Sequence, residues 1–106
     1  MSDLIPDSVV LKVIDGAEAG TELKITNKTI TIGRDETCEL ILSDPHVSLK
    51  QCQVVFRGGH FTVIDLGSLN KTRVNNQIFT QKNLTNDDII AVGKTKLLFS
   101  WDQETA

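Results

Sequence analysis

Two residues in the first half of the 106-residue chain, Arg34 and Ser48, have side chains that together could bind an anion. Arg34 follows the short apolar segment that ends at Gly33, and Ser48 lies in the polar stretch from residue 44 to 51. An arginine presents a planar fork of N–H donors that fits phosphate oxygens, and a serine hydroxyl adds another donor. Loops that bring the two side chains together would form a site for a phosphate group.

A third polar segment, residues 65–76, is dense in side chains that bond to backbone groups. It reads Asp-Leu-Gly-Ser-Leu-Asn-Lys-Thr-Arg-Val-Asn-Asn. Binding residues concentrate on loops that a rigid scaffold positions. We therefore expect the loop after Gly33, the 44–51 loop and the 65–76 loop to share one edge of the fold.

The elements that must position these loops are short apolar segments separated by turn residues. Apolar residues alternate at 9, 11 and 13, and comparable segments follow at 23–25, 30–32, 39–42, 53–56, 61–64, 74–78, 89–92 and 96–101. This spacing predicts ten or eleven strands of a β-sandwich. Asn75-Asn76 predicts a tight turn, because asparagine tolerates positive φ. Residues 82–88 are predicted to form at most a turn.

The length and composition indicate a single domain over residues 1–106, with a core from about 9 to 101. We expect it to be part of a larger protein, because a lone sandwich rarely carries a whole function. Hydrophobic residues make up 40% and charged residues 24%, and the net charge is −3. This charge argues against nucleic acid as the partner. No apolar run approaches 18 residues and no secretory signal precedes the first segment, so we expect no membrane contact by this domain. The predicted location is the cytoplasm, either as a free protein or as the cytosolic part of a membrane-anchored protein.

The residues that could carry metal or covalent chemistry are sparse. Cys38 and Cys52, with His46 and His60, lack the CxxC or HxxxH spacing of a zinc site, so neither a metal nor a cofactor is predicted. The two cysteines are interpreted as buried thiols in a reducing compartment, with a disulfide as the alternative. No spacing places a base beside a nucleophile, and no phosphate-binding P-loop is present. The chain is therefore not expected to be an enzyme.

The order and spacing of these motifs resemble the forkhead-associated (FHA) domain family. That family's pattern runs Gly-Arg, then Ser-x-x-His, then Asp-x-x-Ser-x-Asn-Gly-Thr-x-Val-Asn-Gly, and ends in an apolar stretch between an aspartate and a glycine. The corresponding residues here are Gly33-Arg34, 48–51, 65–76 and 88–93, so that the resemblance covers about residues 9–101. A further resemblance is to FHA regions of chlamydial type III secretion inner-membrane rings.

The resemblance implies an all-β, eleven-stranded sandwich of two antiparallel or mixed sheets that binds a phosphothreonine peptide through its loops. Arg34 and Ser48 would contact the phosphate, and Asn70 would hold the main chain of the peptide, with Lys71 or Arg73 as a supplementary cation. The peptide-binding set implied in this way is Arg34, Ser48, Leu49, Lys50, Leu69, Asn70 and Lys71. The residues implied to brace the loops are Gly33, Gln51, Asp65, Ser68 and Thr72.

Four positions depart from the family pattern. Leu49 stands where a polar or basic residue is common, and Lys50 beside it is expected to point the other way on an extended stretch. Gln51 replaces the histidine. Leu69 replaces a threonine or another polar residue, and we expect it to remove a hydrogen bond and to close over the site. Lys71 replaces a glycine, which would cost about 1 kcal/mol if the backbone there has positive φ.

Two functions therefore remain open. The first is phosphothreonine-dependent binding of a partner peptide, which predicts that Arg34 and Ser48 converge with unpaired donors. The second is phosphate-independent docking to a partner or a neighbouring subunit, for example in a bacterial type III secretion apparatus. This second function predicts an exposed apolar patch on a sheet face or edge and a loop site occluded by Leu69.

Overall fold

The computed structural model describes residues 4–101, and these form eleven strands in two packed sheets. The strands are β1 (Val9–Asp15), β2 (Glu22–Lys24), β3 (Thr29–Gly33), β4 (Leu40–Ile41), β5 (Cys52–Arg57), β6 (His60–Asp65), β7 (Arg73–Val74), β8 (Gln77–Ile78), β9 (Gln81–Asn83), β10 (Ile89–Val92) and β11 (Thr95–Trp101). One sheet has the order β2-β1-β11-β10-β7-β8 and the other β4-β3-β5-β6-β9. Pairing is antiparallel except between β3 and β4. The prediction of an eleven-stranded mixed β-sandwich is confirmed.

The core between the sheets follows from the alternation of apolar residues. Val9, Leu11 and Val13 are fully buried on one face of β1, because successive side chains of a strand point to opposite faces. The Phe61 ring packs edge-on against Trp101 with 5.1 Å between ring centroids. Trp101 therefore packs against the core. Within residues 4–101 no helix is long and apolar enough to cross a membrane.

Both cysteines are buried free thiols. Cys38 is 7% exposed and Cys52 is inaccessible, and no disulfide joins them. Burial raises the pKa of the Cys52 thiol to about 12. The two side chains thus act as small apolar residues of the interior.

The prediction that residues 82–88 form at most a turn is wrong at its start, where strand β9 includes residues 82 and 83. Residues 81–83 pair with β6 at the edge of the five-stranded sheet, and Leu84 follows as a buried residue. An edge strand needs few apolar residues, and residues 81–83 are all polar. The apolar Leu84 next to the strand was therefore the one indication of it in this segment of the sequence. The ammonium group of Lys82 lies 5.2 Å from the centre of the Phe79 ring.

The predicted tight turn joins β7 to β8. Asn75 and Asn76 have φ values of 51° and 70°. The Asn75 side chain also donates to the Asp88 carboxylate (2.9 Å) and accepts from the amide of Ile89 (3.0 Å). This turn therefore fixes the start of β10 as well as its own hairpin.

The register of the five-stranded sheet brings the three polar loops to one edge. Ile32 near the end of β3 faces Cys52 at the start of β5, and Cys52 faces Asp65 at the end of β6. The chain segments after Gly33, before Cys52 and after Asp65 therefore emerge side by side. This edge holds the residues that the sequence singled out.

Candidate functional site

Gly33 allows the 44–51 loop to lie directly against the end of β3. The Arg34 amide donates to the Ser48 carbonyl (3.2 Å), and the Asp35 amide donates to the Leu49 carbonyl (3.1 Å). A Cβ at position 33 would overlap the Leu49 carbonyl oxygen. A glycine is needed here because of this close approach and not because of its φ.

The side chains of Arg34 and Ser48 both retain unused hydrogen-bond donors. The Arg34 Nε donates to the Val47 carbonyl, which fixes the guanidinium beside the loop. In the part of the chain that the structure describes, its two Nη groups have no hydrogen-bond partner, and the residue is exposed. The Ser48 Oγ accepts from the Leu69 amide (3.0 Å), so its own proton is available to a ligand.

Gln51 joins the 44–51 loop, which carries Ser48, to the 65–76 loop. Its buried side chain accepts from the Ser48 amide (2.9 Å) and donates to the Asn70 carbonyl (2.8 Å) and the Thr72 hydroxyl (3.2 Å). An amide can both donate and accept, as a neutral imidazole does. The glutamine thus forms a bridge between the loops at the position where the family pattern has histidine.

The Asp65 carboxylate organises the start of the 65–76 loop. It accepts from the amides of Gly67 and Ser68 (3.0 Å each) and from the amide and hydroxyl of Thr72 (3.2 and 2.7 Å). The Ser68 hydroxyl donates to it as well. Partial burial would raise the pKa of Asp65, but the bonds from Ser68 and Thr72 outweigh it and lower the pKa below its ordinary value. The carboxylate of Asp65 is therefore ionised in the folded protein near neutral pH.

Asn70 bridges the loops from the exposed side. Its Nδ2 donates to the His46 carbonyl (2.9 Å), which ties the 65–76 loop to the 44–51 loop. Within residues 4–101 its Oδ1 has no hydrogen-bond partner. The side chain thus combines a loop contact with a free acceptor.

At the four positions that depart from the family pattern, and at the neighbouring Lys50, the structure differs from expectation in three respects. The Leu69 side chain is 86% exposed and points into solvent, so the expectation that it closes over the site is wrong. Its amide faces Ser48 instead, and this orientation directs the side chain outward. Lys71 has no positive φ, so the expected backbone cost does not arise. Lys50 and Leu49 form an exposed turn and not the extended stretch expected.

Asp44 was missed by the sequence reasoning. Its buried carboxylate accepts from the amides of His46 (2.8 Å) and Lys94 (2.7 Å) and from the Thr95 hydroxyl (3.0 Å). Burial would raise the pKa of Asp44, but the hydrogen bonds from His46 and Lys94 outweigh it and lower the pKa. An aspartate before Pro45 is a common turn signal, and this could have identified the residue.

Arg73 lies at the end of the 65–76 loop and was predicted to be a supplementary cation for the phosphate. Its Nη2 donates to the Gly93 carbonyl (3.2 Å), so the guanidinium is directed to the turn between β10 and β11. No group of three His, Cys, Asp or Glu residues within the described range could hold a metal ion.

Comparison with known proteins places these features in a family. A family model described as the cytoplasmic domain of the inner membrane component of the type III secretion system matches residues 12–103. The glycogen accumulation regulator GarA of Mycolicibacterium smegmatis is 35% identical over 92 residues, which cover 87% of this chain and 58% of that protein. The oxoglutarate dehydrogenase inhibitor of Corynebacterium diphtheriae is 33% identical over 100 residues, covering 92% of this chain and 70% of the inhibitor. The chain thus spans only about three fifths of the length of the M. smegmatis relative.

Solved structures of FHA domains share the architecture. One, from a study of phosphothreonine-dependent FHA domain interactions, has a TM-score of 0.83 and 26% identity and covers 91% of this chain and 98% of its own. The FHA domain of protein CT664 from Chlamydia trachomatis has a TM-score of 0.82 and 25% identity, with 92% and 98% covered. Fold, motif order and sequence identity agree, and the resemblance drawn from the sequence is confirmed. The chain belongs to the forkhead-associated domain family and matches, within it, the model for the cytoplasmic domain of the type III secretion inner-membrane component.

Proposed function

We propose that this domain is a protein–protein interaction module that binds a phosphothreonine-containing peptide of a partner protein. The observation that carries the proposal is the placement of Arg34 and Ser48 against each other at the loop edge, joined by a backbone hydrogen bond of 3.2 Å. Both side chains keep donors that no described residue uses. Charge-assisted hydrogen bonds to phosphate are about twice as strong as neutral ones, so a preformed pair of this kind favours a phosphate ligand.

In this proposal each loop residue has a distinct role. The Arg34 Nη groups and the Ser48 hydroxyl bind the phosphate oxygens, and the free Oδ1 of Asn70 accepts a hydrogen bond from the peptide main chain. The exposed side chains of Leu49 and Leu69 pack against apolar parts of the peptide. Lys50 and Lys71 attract the phosphate over a longer range, and dissolved salt weakens this attraction by screening. The bracing set, Gly33, Gln51, Asp65, Ser68 and Thr72, holds the loops without touching the ligand.

The comparisons support this function at the level of the family. One similar FHA domain was studied for phosphothreonine-dependent interactions, and one relative is named as an inhibitor of an enzyme. We therefore propose a binding domain and not an enzyme, with a protein partner, no nucleic acid and no cofactor. The matched family model describes a cytoplasmic domain, and we propose the same location here.

The test is a fluorescence anisotropy screen with three degenerate peptide libraries that differ only at a central phosphothreonine, phosphoserine or threonine. The proposal expects binding to the phosphothreonine library that inorganic phosphate weakens by competition, and none to the threonine library. Equal binding to the phosphothreonine and threonine libraries by folded protein would overturn it.

A second candidate function is phosphate-independent docking to a neighbouring subunit of an assembly. The family model favours it, because that model describes a component of a secretion apparatus. The exposure of Leu69 argues against the occluded site that this function predicts. It would be supported by a partner complex that survives both phosphatase treatment and the substitution Arg34→Ala.

A further inference from the structure

The outer face of the six-stranded sheet carries apolar side chains between cationic ones. Residues that lie directly opposite each other on paired strands point to the same face, so the register defines two rows of neighbours. One row contains Lys12, Leu98 and Ile89, and the other contains Lys96, Ala91, Arg73 and Ile78. The residues that alternate with them along β1, β10 and β11 are buried in the core. The two rows therefore form one surface on the opposite face, the outer patch.

A cavity lies beside the small side chain of Ala91 in the outer patch. Its volume is about 230 Å³, and its lining residues are Asn75, Asn76, Ile89, Ala91 and Lys96. The β7–β8 turn on one side of the cavity is fixed, because the Asn75 side chain bonds to the Asp88 carboxylate (2.9 Å) and the Ile89 amide (3.0 Å). A preformed cavity of this kind receives an apolar side chain with little further ordering.

The apolar part of the outer patch is open to solvent. The Ile78 side chain is 65% exposed, and Leu98 and Ile89 are half-buried. An exposed apolar patch on a sheet face is the feature that phosphate-independent docking predicts. Apolar residues surrounded by cationic and amide side chains also match the general composition of protein–protein interfaces, which have an apolar centre and a polar rim.

The charges of this face favour an acidic partner. Among its strand residues the cations are Lys12, Lys24, Lys96 and Arg73, and the carboxylates are Asp15 and Glu22. Glu22 lies 3.8 Å from the Lys12 ammonium. The face is thus cationic on a chain whose net charge is −3. Pairing of two copies through this same face would place like charges against each other, so the charges disfavour a second copy as the partner.

We infer that the outer patch docks an acidic amphipathic segment of a partner protein. An apolar side chain of the segment fills the cavity beside Ala91, and its aspartate and glutamate side chains contact Lys96 and Lys12. The inference goes beyond the proposed function, because this contact lies on a sheet face and needs no phosphate. The row from β11 to β8 is about 14 Å long, so a helix of about ten residues spans it.

The test starts from a phage-displayed library of random unphosphorylated peptides of about 16 residues, selected on the immobilised wild-type domain. Synthetic copies of the enriched peptides are then titrated by fluorescence anisotropy, with and without inorganic phosphate, against the wild type, Lys96→Glu and Lys28→Glu. Lys28→Glu is the matched control, because it reverses the same charge at an exposed position before β3. Ala91→Leu is a further variant that fills the cavity, and urea unfolding confirms that each variant is folded.

The enriched peptides are expected to combine aspartate or glutamate with apolar residues and to bind equally well with and without phosphate. Lys96→Glu is expected to weaken their binding about tenfold, because the reversed charge repels the carboxylates, and Lys28→Glu to change it less than twofold. Folded Ala91→Leu is expected to weaken binding about threefold or more, since the apolar side chain of the peptide loses its cavity.

The inference would be overturned by the enrichment of no peptide, by enriched peptides without acidic residues, by equal losses in Lys96→Glu and Lys28→Glu, or by competition from inorganic phosphate. Self-association in sedimentation experiments, or binding to vesicles of anionic phospholipid, that Lys96→Glu abolishes would also overturn it, because either result assigns the outer patch to another occupant. A wild type that binds the acidic peptides and ignores phosphothreonine peptides would support the inference and overturn the proposed function alone.

Discussion

The buried amide of Gln51 joins the 44–51 loop to the 65–76 loop through Ser48, Asn70 and Thr72. Gln51→Leu preserves its size but removes all three bonds and leaves the partners unpaired. We expect it to lower the free energy of unfolding by about 2–4 kcal/mol, because each unsatisfied buried group costs about 1–3 kcal/mol. Urea unfolding measures the change.

The matched control for this prediction is Gln53→Leu. Gln53 lies two residues further along the chain, and within residues 4–101 its side chain makes a single bond, of 3.3 Å, to the Thr31 hydroxyl. We expect it to change stability by about 0.5 kcal/mol or less, as most surface substitutions do. Equal effects of the two substitutions would show that the contacts of Gln51 do not brace the loops.

Gly33→Ala tests the close approach of the 44–51 loop to β3. The added methyl group would overlap the Leu49 carbonyl oxygen, so the loop that carries Ser48 must move. We expect a loss of stability of about 2 kcal/mol or more and weaker phosphopeptide binding. Gly20→Ala is the control: nothing lies within 4 Å of its Cβ, and its φ of +99° alone should cost about 1 kcal/mol. A stability loss no larger than that of Gly20→Ala would contradict the packing argument.

Some residue-level features followed from the sequence and others did not. The placement of Arg34 and Ser48 on neighbouring loops could be predicted, because residue type and spacing define both loops. The direction of the Leu69 side chain could not be predicted, since it depends on whether the backbone or the side chain faces Ser48. Asp44 was missed because its partners, Lys94 and Thr95, are about fifty residues away.

At the level of elements, the conformation of the 65–76 loop depends on the ionised carboxylate of Asp65. Its pKa is lowered in the folded state, so its contribution to stability is present above the unfolded pKa of about 3.9 and is lost as the pH falls through the folded value. We expect Asp65→Asn to cost about 1–3 kcal/mol at pH 7. The difference from the wild type should shrink below about pH 4.

Urea unfolding of both proteins at pH 7, 5, 4 and 3 measures this difference. Asp7→Asn is the control, because Asp7 is exposed and lies far along the chain from the loop. A difference between Asp65→Asn and the wild type that stays constant down to pH 3 would contradict the proposed role of the charge.

Most strands could be predicted because one face of each is buried, which leaves an alternation of apolar residues in the sequence. The β7–β8 hairpin followed from Asn75-Asn76 alone. Strand β9 could not be predicted, since the polar residues 81–83 take their strand conformation from pairing with β6. Tertiary pairing can impose a strand where local propensity gives no signal.

For the whole molecule, the buried thiols report on the integrity of the core. The pKa of Cys52 is raised to about 12 by burial, and burial also raises the pKa of Cys38. Since the thiolate is the reactive form, we expect a thiol reagent at pH 8 to label Cys52 in a Cys38→Ser variant only as fast as the protein unfolds. Added urea should accelerate labelling in parallel with unfolding. Complete labelling within seconds in buffer would contradict a sealed core.

The extent of the domain relative to its relatives is a further feature at the scale of the whole molecule. Residues 4–101 complete both sheets, and the chain spans 58% of its M. smegmatis relative. That residues 1–106 form a single domain of a larger protein stays a prediction.

The most direct test of the central claim is the affinity of one selected phosphothreonine peptide and its unphosphorylated twin for the wild type, Arg34→Ala and Arg57→Ala. Arg57 is an exposed arginine at the far end of β5, so its substitution matches the change in charge. We predict phosphate-dependent binding by the wild type and Arg57→Ala and a loss of about tenfold or more in Arg34→Ala, with all three folded. Equal affinity of Arg34→Ala and Arg57→Ala for the phosphopeptide would contradict the assignment of Arg34 as the phosphate anchor.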